Sequence, residues 1–106
     1  MYFHAFESIA PKEIAPGFLC QLIHTEHNTI NFLDVAAGST LPLHQHPHHQ
    51  SSFVLQGEFE MTVGGTTQVL TPQNYCLIPG GVMHGGKALT NCKILDVFSP
   101  IRQDYR

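Results

Sequence analysis

The chain has no tryptophan and few charges: only 12% of its 106 residues are Asp, Glu, Lys or Arg. So low a charge content argues against a solvated helical bundle or an acidic disordered tail. Five Lys and Arg against eight Asp and Glu leave a formal net charge of −3. That balance offers nothing to attract a phosphate backbone, so no nucleic-acid partner is expected. Long apolar runs are missing too. The stretch from Phe32 to Ala37 is interrupted by Asp34, and nothing approaches the roughly 20 residues of a membrane-spanning helix. Met1 to Ala10 carries His4 and Glu7 but no basic stretch, so no signal peptide is expected. The three cysteines, Cys20, Cys76 and Cys92, are odd in number and far apart. That pattern suits reduced thiols in a cytoplasmic protein better than a disulfide framework.

What is present reads as short strands. A chain of this length forms one domain, residues 1–106, and buries about two-thirds of its unfolded surface without help from disulfides. The apolar period is two rather than 3.6. Strand-length runs rich in β-branched and aromatic residues occur at Gly17–Thr25, Thr29–Ala36, Ser52–Leu55, Glu58–Val63, Thr66–Leu70, Tyr75–Ile78 and Asn91–Phe98. Turn residues separate several of them, and Val63-Gly64-Gly65-Thr66 predicts a two-residue hairpin, since both central positions accept a positive φ. Many short strands with frequent turns indicate an all-β sandwich or small barrel.

Eight histidines are the compositional excess, and four of them fall within Leu43–Gln50. His44 and His46 are two apart, which on a strand puts both imidazoles on one face. Pro47 breaks the ladder after them, so that Gln50 can return from the next stretch. His84 follows the glycine turn Pro79-Gly80-Gly81, which can set a side chain against a cavity. Three imidazoles and one amide oxygen are suitable ligands for a divalent first-row metal (Ni, Zn, Mn, Fe or Co) with open positions. Alternatively, Gln50 stands behind three histidines and water. His48 and His49 are expected to face solvent, and His4, His24 and His27 are isolated.

These residues carry a resemblance. Gly38, His44, His46, Gln50 and Gly57 at their spacing resemble the first cupin motif, and Pro79, Gly81 and His84 resemble the core of the second. The resemblance implies a jelly-roll (double-stranded β-helix) barrel with a metal in its mouth. Gln50 departs from the usual Glu, Gln73-Asn74 from Gly-Asp, and Ala88 from Asn. The run His44 to Gln50, followed by Phe53 to Glu60 and by Leu95 to Tyr105, is more narrowly similar to the pectin-degradation, KdgF-like cupins, in which the Glu is already Gln. That likeness implies a metal-dependent enzyme that opens 4,5-unsaturated monouronates to linear keto sugars. It also implies functional roles for Asp96, Phe98 and Arg102.

The residue types agree with those roles but leave alternatives open. An Asp in an apolar strand must be paired, hydrogen-bonded or protonated. Asp96 therefore either faces the cavity as a proton-transfer group or is structural, paired with Lys93 or Lys87. Arg102 suits a sugar-acid carboxylate, or is an exposed tail residue. Phe98 is expected as cavity wall rather than a chemical participant. A neutral Gln50 leaves a divalent site at full charge, favouring an anionic ligand. Rival functions are a dioxygenase or sugar epimerase, or a non-catalytic ligand-binding cupin. Apolar residues on both faces of Ile94–Phe98 suggest a homodimer.

Overall fold

Alternation of small apolar and polar residues produces ten strands in the computed structural model, which describes residues 2–105. They are β1 (Lys12–Ala15), β2 (Phe18–His24), β3 (Thr29–Val35), β4 (Thr40–His44), β5 (His49–Gln56), β6 (Phe59–Val63), β7 (Thr66–Leu70), β8 (Tyr75–Ile78), β9 (His84–Ala88) and β10 (Cys92–Ser99). Single 3₁₀ turns occur at Phe6–Ser8 and Gln103–Tyr105. A six-stranded sheet runs β1-β2-β3-β10-β5-β8, and a four-stranded sheet runs β4-β9-β6-β7, with every pairing antiparallel. Non-consecutive neighbours in both sheets are the jelly-roll pattern. No helix among the described residues is long and apolar enough to cross a membrane.

The core lies between the two sheets. Phe18, Leu33, Val35, Val54 and Ile94 face Phe59, Met61 and Leu70 across it. Phe18 and Phe59 bridge the layers edge to face, ring centroids 6.3 Å apart, the arrangement an aromatic quadrupole favours. On β10, Cys92, Ile94 and Phe98 are buried while Leu95 and Val97 are half-buried on the other face. Outward of the six-stranded sheet, Leu55, Tyr75 and Leu77 are exposed.

The Gly64-Gly65 hairpin joins β6 to β7 as expected, with both glycines at positive φ. Three strands fall outside the runs read from sequence: β1, β4 and β9. Pro42 within β4 removes a ladder donor, and His-Gly-Gly-Lys-Ala has no strand formers until its neighbours are known. A side chain at Gly86 would meet the Phe59 ring at 2.3 Å. Glycine there lets β9 lie flat between β4 and β6 beneath that ring.

Candidate metal centre and cavity

The histidines converge by a different route from the one their spacing suggests. His44 ends β4, whereas His46 lies beyond it in the connection to β5, so the two do not share one strand face. What places His46 is packing against the turn that carries His84. Gly81 donates its backbone N–H to the His46 carbonyl at 2.8 Å. Gly80 lies so close to Pro47 that an added Cβ would be 2.2 Å from its carbonyl oxygen. His44 and His84 face each other across the β4–β9 pair. The result is one cluster, with ligand atoms of His44, His46 and His84 all within 4.8 Å of one another.

Hydrogen bonds fix the tautomers. Nδ1 of His44 lies 2.9 Å from the Pro42 carbonyl, Nδ1 of His46 3.0 Å from that of His48, and Nδ1 of His84 2.8 Å from that of Val82. A carbonyl only accepts, so each Nδ1 carries the proton and each Nε2 presents a lone pair. His84 is 2% exposed, and its Nε2 is buried without a partner among the described residues. Burial holds the His46 and His84 imidazoles below their ordinary pKa, against the opposing effect of those hydrogen bonds. They are therefore neutral at pH 7, the form a metal takes.

Gln50, at the start of β5, is buried beside them. Its Oε1 is 3.1 Å from His46 Nε2. With that nitrogen unprotonated, two lone-pair atoms face each other and no hydrogen lies between them. Two adjacent ligands of one cation, each bonded at about 2.1 Å, stand about 3 Å apart. The donor set thus fits a divalent transition metal, and the orphaned His84 nitrogen fits it as well. The amide of Gln50 is held in this orientation from behind. Its Nε2 donates to Ser52 Oγ at 2.9 Å, and that hydroxyl donates to Asp96 Oδ1 at 2.7 Å. Neither His48, half-buried in the loop, nor His49, exposed on β5, belongs to the cluster.

Asp96 faces inward on β10, opposite Ser52 on β5 and Asn31 on β3. The alternative pairing with Lys93 does not occur, because Lys93 Nζ reaches Asp34 at 2.8 Å on the outer side. As a residue Asp96 is half-buried, since it lines a cavity, but protein surrounds its carboxyl. Burial raises that carboxyl from 3.8 to about 6, against the hydrogen bonds from Ser52 and Gln50 and the charge of Arg102. A carboxyl at about 6 can hold or release a proton near neutrality.

Arg102 is not an exposed tail residue. Its backbone N–H donates to the buried Thr29 Oγ1 at 2.8 Å, drawing the chain back over the end of β3. The residue is 8% exposed and lines the same cavity as His44, Gln50, His84, Asp96 and Phe98. Its guanidinium lies 4.9 Å from the Phe98 ring centroid and 4.0 Å from that of Tyr105. The Nε–Nη2 side of its fork is taken by Asp104. The Nη1–Nη2 end has no carboxylate partner among the described residues. Phe98 is buried and forms wall, edge-on to His46 and Tyr105. Sequence reasoning missed Ser52, Asp104, Tyr105 and Asn31. Ser52 and Asn31 become visible only through strand register, Asp104 and Tyr105 only through the returning tail.

The cupin-domain family profile matches residues 31–98, and the chain belongs to the cupin family. Within that fold it is similar along its whole length to KdgF from a Halomonas species, with 28% identity and a TM-score of 0.91, covering 100% of this chain and 99% of that one. It is equally similar to an RmlC-like cupin from Shewanella frigidimarina, with 29% identity, a TM-score of 0.91, and coverage of 100% and 96%. An oxalate decarboxylase from Bacillus subtilis, 15% identical with a TM-score of 0.81, shares the fold over 92% of this chain and 29% of its own. No curated protein matches the chain in sequence.

Proposed function

We propose that the protein is a metal-dependent enzyme that opens the ring of 4,5-unsaturated monouronates to linear keto sugars. The observation that carries this reading is the meeting, around one cavity, of His44 and His84 from the three-histidine cluster, a neutral Gln50, a carboxyl at about 6 and a buried arginine. Likeness to KdgF over the full chain supports it. His44, His46, His84 and Gln50 would hold a divalent cation, and such a cation supplies Lewis acidity to a carboxylate or enol oxygen. With neutral ligands only, its double positive charge is undiminished, which favours an anionic sugar acid.

The remaining work falls to the chain. Arg102 offers the Nη1–Nη2 end of its fork to the uronate carboxylate. Loss of the C1 hydroxyl proton to a base turns C1 into a carbonyl, and the bond from C1 to the ring oxygen breaks. The electron pair leaves on that oxygen as the C5 enolate. Asp96 then delivers a proton to C4, and the enolate becomes a ketone. One proton is lost and one is gained, so the reaction is an isomerisation without oxidant. Ser52, hydrogen-bonded to Asp96, holds the acid in place. The cavity offers about 50 Å³, against roughly 150 Å³ for one that takes up benzene. A sugar acid needs more, so its entry requires a wall to open. The lining outside both sheets is Arg102 and Tyr105, beside and at the end of the Gln103–Tyr105 turn.

The test is incubation of metal-loaded protein with the unsaturated monouronate, without oxygen, following loss of the conjugated C=C absorbance. Turnover without oxygen supports ring opening and excludes a dioxygenase. Saturable binding with no turnover would refute the enzyme and leave a ligand-binding cupin.

A further inference from the structure

Asn31 is a buried polar residue to which the ring-opening scheme gives no task. It sits at the middle of β3 with 1% exposure and lines the cavity. Its inward neighbours on the strand need no explanation. Leu33 and Val35 are core, and the Thr29 hydroxyl meets both His24 Nδ1 and the Arg102 backbone. Asn31 instead keeps one end of its amide unused. Nδ2 donates to Cys20 Sγ at 3.3 Å, and Oδ1 is buried with no partner among the described residues. Leaving an amide oxygen unpaired in the interior costs stability, and an apolar residue of the same shape would avoid the cost. The other orphan deep in the cavity, His84 Nε2, belongs to the metal cluster. Asn31 cannot reach that role by register. It lies opposite Asp96, on the side away from Ser52.

We propose that Asn31 binds a hydroxyl of the ligand and so fixes the hydroxyl-bearing carbon beside Asp96. Turning the amide over changes nothing in the assignment. The Cys20 thiol can accept or donate weakly, and a hydroxyl can do either at the free end. The site therefore selects a polyhydroxylated acid over a hydroxyl-free one. Sites built to hydrogen-bond a hydroxyl reject analogues that lack it strongly, because the protein group is then left unpaired. This inference rests on the proposed function for the choice of sugar acid, but not for the selection of a hydroxyl.

The experiment compares the parent with Asn31→Leu on the unsaturated monouronate and on its 2-deoxy and 3-deoxy counterparts. Binding is read in parallel as the shift in melting temperature given by saturated galacturonate and its deoxy forms. Metal content and melting temperature without ligand should be unchanged or higher in the variant. Its kcat/KM on the full substrate should fall about ten- to a hundredfold, the range of one buried hydrogen bond. One deoxy counterpart should be handled equally by parent and variant. Should Asn31→Leu misfold, Asn31→Ala removes the same amide without bulk and is held to the same outcomes. An equal loss on all three substrates overturns the proposal, making Asn31 a partner of Asp96 alone. A parent inert toward unsaturated uronate would refute the ring-opening reading. The galacturonate shifts would still decide on Asn31, and shifts equal in parent and variant would refute its role.

Discussion

Asp96→Asn should make the metal-free protein more stable and the loaded enzyme slower. In the fold the carboxyl keeps its proton to about 6, against 3.8 for an exposed one, because burial disfavours the anion. Between those values the native state binds more protons than the unfolded chain, so stability falls as pH rises through the window. Below about 3.8 the penalty is absent, and above 6 it is complete. At about 1.36 kcal/mol per pH unit it amounts to roughly 3 kcal/mol. Asparagine mimics the protonated acid and accepts from Ser52 as the carboxyl does. The variant should therefore gain up to roughly 3 kcal/mol at pH 7.5, or about 10–20 °C in a domain of this size, and nothing near pH 4. Neutral His46 and His84 must also take protons as pH falls, but they are common to both proteins and cancel in the difference. Urea unfolding of chelator-treated parent and variant from pH 4 to 8 measures the gap. In the loaded enzyme kcat should fall by about 10²–10⁴, the usual contribution of a positioned acid. Parallel stability curves, or a variant less stable at pH 7.5, would show that the carboxyl is not held protonated by burial.

Other expectations follow from the same geometry. His84→Ala should abolish the binding of about one metal per chain, read by elemental analysis. In the parent, because burial already keeps His46 and His84 neutral, calorimetry should find metal affinity surviving to pH values somewhat below 6.5 before protons compete. Gln50→Glu should keep or tighten metal binding and lower kcat/KM, since a carboxylate cuts the site's positive charge; unchanged turnover would show that neutrality is irrelevant. Arg102→Lys keeps the charge but loses the planar fork and the stacking on Tyr105. Steady-state kinetics should show KM rising more than kcat falls, by roughly 1–3 kcal/mol in total. Gly86→Ala would set a methyl against the Phe59 ring, and thermal unfolding should report a loss of about 1–3 kcal/mol.

The parts of this molecule that could be read from sequence are those whose signal is local. The alternation along β2, β3, β6 and β10 marks strands because each such segment has a wet or half-wet face and a core face. The hairpin at Gly64-Gly65 announces itself because positive φ at two successive positions suits glycine. The three histidines stood out by number and turn context. The i, i+2 argument for His44 and His46 nevertheless described a strand that stops at His44. What holds His46 is the Gly81 N–H, some 35 residues away, and a Gly80 whose lack of a side chain admits the neighbouring Pro47. In β4 and β9 local propensity misleads outright, because a proline and two glycines serve sheet packing there.

Apart from Asp96, whose charge stands out in an apolar strand, the polar floor of the cavity had no local signal, and this follows from how the barrel is built. Asn31, Asp96 and Ser52 form one row across β3, β10 and β5. Asn31 and Ser52 alone resemble ordinary strand residues, each between one polar and one apolar neighbour two positions away, Thr29 and Leu33 or Gln50 and Val54. Only the register of a strand near the end of the chain, inserted between two earlier ones, makes them a row. The same insertion puts Phe98 opposite Gln50, so the tail that follows β10 leaves beside the metal cluster. Thr29, at the head of β3, then catches the Arg102 N–H and turns the side chain inward. A jelly roll thus places its last strand where it must complete the cavity, and the residues just beyond it inherit a place in the wall. Arg102, Asp104 and Tyr105 look like a solvated tail in sequence because the contacts that order them come from Thr29, Phe98 and one another. None of those contacts belongs to the ladder of either sheet, so the order of this tail rests on side chains and not on strand pairing.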